Sequence, residues 1–130
     1  MSSIHQEVDI TGSPEKIYNT LLSSQDFSRM TGGLPTKIDG QEGGSFSCFG
    51  GAIVGRNVEL VSNRRIVQAW RVSDWALGTY SIAKFELTIR PDGGTHLVFD
   101  HKGFPEDQFD HLNSGWKTNY WDPLEKHLSQ

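Results

Sequence analysis

Cysteine is almost absent: Cys48 stands alone in 130 residues. No disulfide can close within the chain, and the usage suits a reducing compartment. Basic charge is also scarce. The 12 lysines and arginines are outnumbered by 16 acidic residues, for a formal net charge of −4, and the densest basic run is the pair Arg64-Arg65. A protein that tracks phosphates needs a basic stripe, so no nucleic-acid partner is expected. No apolar run approaches the roughly 18 residues of a membrane span, and the polar opening MSSIHQEV has no signal-peptide core. The expectation is a cytoplasmic protein with no membrane partner. Metal motifs are missing too: the five histidines form no H-E-x-x-H and no cysteine–histidine cluster, and His96 and His101 fall on opposite faces of a strand. Ser13 and Lys16 match S-x-x-K, but without S-D-N or K-T-G; the glycine-rich run before Ile53 lacks the G-K-[ST] of a phosphate loop. Neither cofactor nor metal is expected.

What is present reads as one globular domain over residues 1–130, with 35% apolar and 22% charged residues and 14 glycines. IHQEVDI alternates with the period of a half-buried strand. The period then changes. Ser13 can cap a helix with Pro14 at its first position, Glu15 in its first turn and Ile17, Tyr18, Leu21 and Leu22 on one face. A second short helix over SQDFSRMTG contributes Phe27 and Met30. From Lys37 onward the pairs Gly43-Gly44, Gly50-Gly51 and Gly93-Gly94 punctuate strand-like runs. SFSCF, AIVGRNVELV, RIVQAWRV, TYSIAKFELTIR and THLVFDHK, with the first strand and a short one near TKID, give an antiparallel sheet of about seven strands.

Helical spacing returns after Pro105, with Phe109, Leu112, Trp116, Tyr120, Leu124 and Leu128 recurring every three or four residues. Pro123 interrupts this stripe, because it has no N–H to give the Asn119 carbonyl. A kink, or a restart capped by Asp122 with Glu125 completing the capping box, is expected, with the apolar face kept in register. Trp121, about 100° from Tyr120, is expected on the helix flank, and Gly115 is read as allowing close approach to the sheet. An amphipathic helix and a one-faced sheet must cover each other, which makes the fold class α+β. Strand parity assigns the covered face to Phe46, Cys48, Ile53, Gly55, Asn57, Glu59, Ile66, Gln68, Trp70, Ala83, Phe85, Leu87, Ile89, Leu97, Phe99 and His101. Asn57, Glu59, Gln68 and His101 are polar in this set, so they either pair with one another or face a wet pocket.

The order of motifs carries a resemblance: S-P-E at a helix start, GG-x-F, G-x-I-x-G read over Gly51–Gly55, R-I-V-x-x-W-R, W-x-x-G, and GW-x-x-x-Y-W before the end. Over about Ile10 to Leu128 the chain resembles the C-terminal domain of the activator of the 90-kDa heat-shock chaperone's ATPase, a member of the START-like (SRPBCC) helix-grip superfamily. The resemblance implies a twisted sheet wrapped on a long C-terminal helix, often around a cavity, and a heat-shock chaperone as possible partner. The eukaryotic activator joins this domain to a separate N-terminal domain that supplies much of the chaperone contact; the 130 residues correspond to the C-terminal-type domain alone. The aromatics leave two uses open, a plain core or the walls of a cavity for an apolar small molecule. In the cavity reading the lining is Phe46, Asn57, Gln68, Trp70, Trp75, Phe85, Phe99, His101, Trp116 and Tyr120. A non-enzymatic binding domain is the favoured expectation; the alternative is a cyclase-like enzyme acting on an apolar substrate in that cavity.

Overall fold

The computed structural model describes residues 2–129. Strand β1 (Ser3–Ile10) leads into helices α1 (Pro14–Leu22) and α2 (Ser24–Met30). Six strands follow: β2 (Lys37–Ile38), β3 (Ser45–Cys48), β4 (Ile53–Val61), β5 (Arg65–Val72), β6 (Ser81–Ile89) and β7 (Thr95–Lys102). They form one antiparallel sheet in the order β1-β7-β6-β5-β4-β3-β2. Consecutive strands from β2 to β7 are neighbours, while β1 comes from the other end of the chain to close beside β7. The C-terminal segment is α3 (Phe109–Trp116), a wide turn over Lys117–Trp121 and α4 (Asp122–Leu128). The architecture is the α+β helix grip.

Local chemistry explains the starts and bends. The Ser13 hydroxyl accepts from the Lys16 backbone N–H at 3.3 Å, and Ser23 does the same for Asp26 at 3.1 Å, so each of the first two helices has its own cap. The covered sheet face carries Ile4, Ile10, Ile66, Phe85, Leu97 and Phe99, all buried, and α1 and α2 add Ile17, Leu21, Phe27 and Met30 to the same core.

Two residues that parity assigns to this face are not covered. The pairing of β4 with β5 slips between Asn57 and Glu59, so the bulged strand turns Glu59 outward to Arg65, at 3.1 Å, instead of into the core. Ile89 keeps its side of β6 but is 67% exposed, because the strand end runs out beside the loop that precedes α1.

The C-terminal helix is continuous rather than restarted. Asp122 has helical backbone angles, its N–H reaches back five residues to the Lys117 carbonyl, and its carboxylate pairs with Lys117 Nζ at 2.9 Å instead of capping. Pro123 cannot complete the ordinary ladder, and the wide turn immediately before it accommodates that loss. Widening the turn by a residue rotates the following side chains. Trp121 is therefore buried beside Tyr120 rather than on the flank, while Leu112, Trp116, Tyr120 and Leu124 keep the expected stripe.

Candidate functional site: a cleft beside the gripped helix

Most of the space enclosed by helix and sheet is filled, and the side chains of Asn57, Gln68 and His101 within it are hydrogen-bonded. Trp116 Nε1–H donates to His101 Nδ1 at 3.1 Å. An indole nitrogen only donates, so Nδ1 is the acceptor and the imidazole proton sits on Nε2. That nitrogen lies 2.7 Å from Ser81 Oγ, and the Ser81 hydroxyl in turn donates to the Trp70 carbonyl at 3.0 Å. The chain Trp116–His101–Ser81–Trp70 thus runs one way with no open end. His101 is 0% exposed, and burial pushes its pKa down to about 3, so the ring is neutral at physiological pH. Gln68 Nε2 donates to Asn57 Oδ1, and Asn57 Nδ2 to the Asp39 carbonyl, both at 3.1 Å. Of the four unexpected polar positions, three are satisfied inside and Glu59 has turned out.

The remaining interior is aromatic. Phe99 and Trp116 have ring centroids 4.2 Å apart, Phe85 and Phe99 5.0 Å, and Trp116 and Tyr120 4.4 Å. The free volume among Phe46, Cys48, Gln68, Phe85 and Tyr120 is about 10 Å³, no more than one water needs. Burial pushes the Cys48 thiol up to about 12, so it is a small core group with no thiolate character. Burial also raises the Tyr120 phenol above its ordinary range.

Beside this packed region, between α3 and the β4–β5 end of the sheet, lies a cleft of about 290 Å³. Phe49, Ala52, Ile53 and Val72 form the sheet-side wall, and Ile53 and Val72 face each other across the strand pair. Leu112, Gly115 and Asn119 form the helix-side wall, His111 is at the exposed rim, and Trp70, Trp116 and Tyr120 close the floor. Gly115 makes no close approach to the sheet: a Cβ there would meet only Asn119 Nδ2, at 3.6 Å. Its missing side chain leaves the cleft open instead. The floor also holds the chemically unfinished group of the region. Trp70 is 2% exposed and, among the described residues, its indole N–H completes no hydrogen bond, although the Tyr120 hydroxyl lies close to it. A buried N–H without an acceptor costs about 1–3 kcal/mol.

The ten residues expected to line a cavity therefore divide. Trp70, Trp116 and Tyr120 line the cleft. Phe46, Gln68 and Phe85 surround the small void, Asn57, Phe99 and His101 lie in the packed interior, and Trp75 sits behind Trp70 with ring centroids 5.8 Å apart. Sequence reasoning missed Phe49, Ala52, Ile53, Val72, His111, Leu112, Gly115 and Asn119 as lining. Part of that signal was present: His111, Gly115 and Asn119 repeat every four residues beside the stripe Leu112, Trp116 and Tyr120, a second helical row next to the buried one. Phe49 gave none, since its left-handed backbone, φ 55°, is set by the turn before the glycine pair.

Known proteins share this fold. Residues 11–129 match the family model described as Activator of Hsp90 ATPase homolog 1-like protein. The activator of 90 kDa heat shock protein ATPase homolog of Dictyostelium discoideum is 33% identical over 92 residues, covering 71% of this chain and 24% of that protein. The chain spans about a fifth to a third of the length of the curated relatives it matches. Among solved structures, an HSP90 activator from Plasmodium falciparum superposes with a TM-score of 0.93 at 24% identity, covering 99% of this chain and 97% of that one. The Aha1 dimer from Colwellia psychrerythraea gives 0.82 at 21% identity, with coverages of 98% and 96%. Both likenesses show the fold alone. With 119 of its 130 residues inside the family model, the chain belongs to the Activator of Hsp90 ATPase homolog 1-like family.

Proposed function

We propose that this chain is a non-enzymatic binding domain whose cleft takes a small apolar or aromatic group. The observation that carries the reading is the buried, unpartnered Trp70 N–H in the floor of an apolar cleft. A ligand bearing one acceptor would cover the apolar walls and complete that N–H together. At about 290 Å³ the cleft lies at the small end of ligand pockets, which run from about 300 to 1,000 Å³, and suits one or two fused rings. A thermal-shift screen of bicyclic aromatics with and without a carbonyl tests this. Stabilisers should appear mainly among the carbonyl-bearing members, with about 2.7 kcal/mol gained at a hundredfold excess over Kd. A screen with no stabiliser at millimolar concentration, or stabilisers that act equally on Gly115→Leu, would sink it.

Family membership supports a second reading, in which the partner is a 90-kDa-type chaperone. Immobilised chaperone should retain the domain at tens of micromolar and its ATPase rate should respond; absence of both would remove the partner. The cyclase-type alternative would turn to His111, the imidazole at the cleft rim, because His101 is enclosed, has both ring nitrogens hydrogen-bonded and is made a weak base by burial.

A further inference from the structure

The sheet face turned away from the helix carries a feature that the cleft does not explain. Along β1 and β7 its carboxylates and imidazoles alternate in a chain: Asp100 with His5 at 2.7 Å, His5 with Glu7 at 2.8 Å, Glu7 with His96 at 3.0 Å and His96 with Asp9 at 2.7 Å. Lys84, Glu86, Arg65 and Glu59 continue the pattern across β6, β5 and β4. Each basic side chain there faces a carboxylate.

Strand register builds the opposite situation nearby. Lys102 of β7 stands opposite Ile82 of β6, Ile82 opposite Ala69 of β5, and Ala69 opposite Arg56 of β4. The row reads cation, apolar, apolar, cation. In the next row Arg71 stands opposite Val54. Among the described residues, none of these three cations has a carboxylate within 4 Å. Arg56 donates to the Gly43 carbonyl at 2.8 Å, and Arg71 Nη2 donates to the Trp75 and Ala76 carbonyls. Arg71 is only 9% exposed, its Nε–H is buried without an acceptor, and its guanidinium lies 5.6 Å from the centre of the Tyr80 ring. Asp74, three residues on, is exposed and makes no ion pair among the described residues. A buried guanidinium without a counter-ion is costly, and in a chain of net charge −4 the grouping runs against the overall balance. Apolar groups share the surface: Tyr80 and Ile82 are about half exposed, and Val54, Ala69 and Tyr80 line a groove of about 530 Å³ with Arg56.

We propose that this outer face is a docking surface for an acidic, extended segment of a partner protein. Three strand spacings separate Lys102 from Arg56, roughly 14 Å, which is the reach of four to five extended residues. The matching segment has two carboxylates about four positions apart with an apolar side chain between them. One carboxylate meets Arg56 and Arg71, the other meets Lys102, and the apolar group lies on Ala69, Ile82 and Tyr80. The site is on the opposite side of the sheet from the cleft and does not depend on it.

The test uses three fluorescent peptides in anisotropy titrations with the whole chain: one with two glutamates four apart flanking leucine, one of the same composition with the glutamates adjacent, and one with lysines replacing the glutamates. The spaced acidic peptide should bind most tightly, with the affinity falling at higher salt. Arg56→Glu should weaken it at least tenfold and Tyr80→Ala several-fold, with thermal midpoints unchanged, while Gly115→Leu should leave it unaltered. Because Arg71→Ala risks unfolding, Lys102→Glu serves as the second variant, and it should cost most with the spaced peptide and little with the adjacent one. Equal binding of spaced and adjacent peptides, no effect of Arg56→Glu, or no binding at millimolar peptide would overturn the proposal. Tighter binding of a single-stranded oligonucleotide or of phosphatidylserine vesicles than of the spaced peptide would also overturn it, by assigning the cations to phosphates.

Discussion

The four tryptophans divide the space between helix and sheet in two. Trp116 and Trp121 have finished chemistry: their indole N–H groups donate to His101 at 3.1 Å and to Gln6 at 2.7 Å. Trp70 and Trp75, on β5 and the loop after it, are just as buried but have unpartnered N–H groups. All four are buried, so burial does not tell them apart. Hydrogen bonding does. The finished pair marks the closed, structural half, and Trp70 marks the half that opens into a cleft. An aromatic cluster can therefore be the grip of a fold and the floor of a site at once, with the boundary running through single side chains.

The sharpest break of this comparison is in pH. Below about pH 6.5 the unfolded imidazole takes up a proton that folded His101 refuses until about pH 3, so stability should fall through that window by up to about 5 kcal/mol. Above 6.5 both states are neutral at His101 and its contribution is flat. Between 6.5 and about 4.5 its effect stands apart, because the raised pKa values of His5 and His96 act above 6.5 and the lowered ones of Glu7 and Asp9 act below 4.5. Urea unfolding at stepped pH measures the slope. Next in size is Trp116→Phe, which leaves His101 Nδ1 without a donor and opens space; a loss of roughly 2–3 kcal/mol is expected in the same assay. Trp70→Phe should cost less, within about 1 kcal/mol, because removing an unpartnered N–H offsets part of the lost packing. The smallest effect has the opposite sign. Gly115→Ala should raise stability by about 0.5–1 kcal/mol through helix propensity, since its methyl group has room, while weakening cleft ligands by filling their space.

Much of the fold could be read in advance because it rests on local rules. All seven strands, the Ser13 cap and the stripe from Phe109 to Leu128 follow from period, turn residues and capping chemistry. Glu59 and Trp121 could not be placed that way. A bulge after Asn57 and a wide turn before Pro123 each add one residue, and one residue is enough to move a side chain to another face. The candidate site was legible only in its floor. Its walls come from a turn, a strand end and a second helical row, each unremarkable alone. The cation row on the outer face was hidden for a related reason: Arg56, Arg71 and Lys102 are far apart in sequence and meet only through strand register.

The most direct test of the division between closed and open halves is the set of four tryptophan indole N–H signals in a proton–nitrogen correlation spectrum. Titration with a bicyclic aromatic ketone should move the Trp70 signal most, downfield as it gains an acceptor, and the Trp121 signal least. Gly115→Leu should abolish the shifts while leaving the starting spectrum folded. Uniform movement of all four signals, or a Trp70 signal that stays fixed while the ligand binds, would contradict the account.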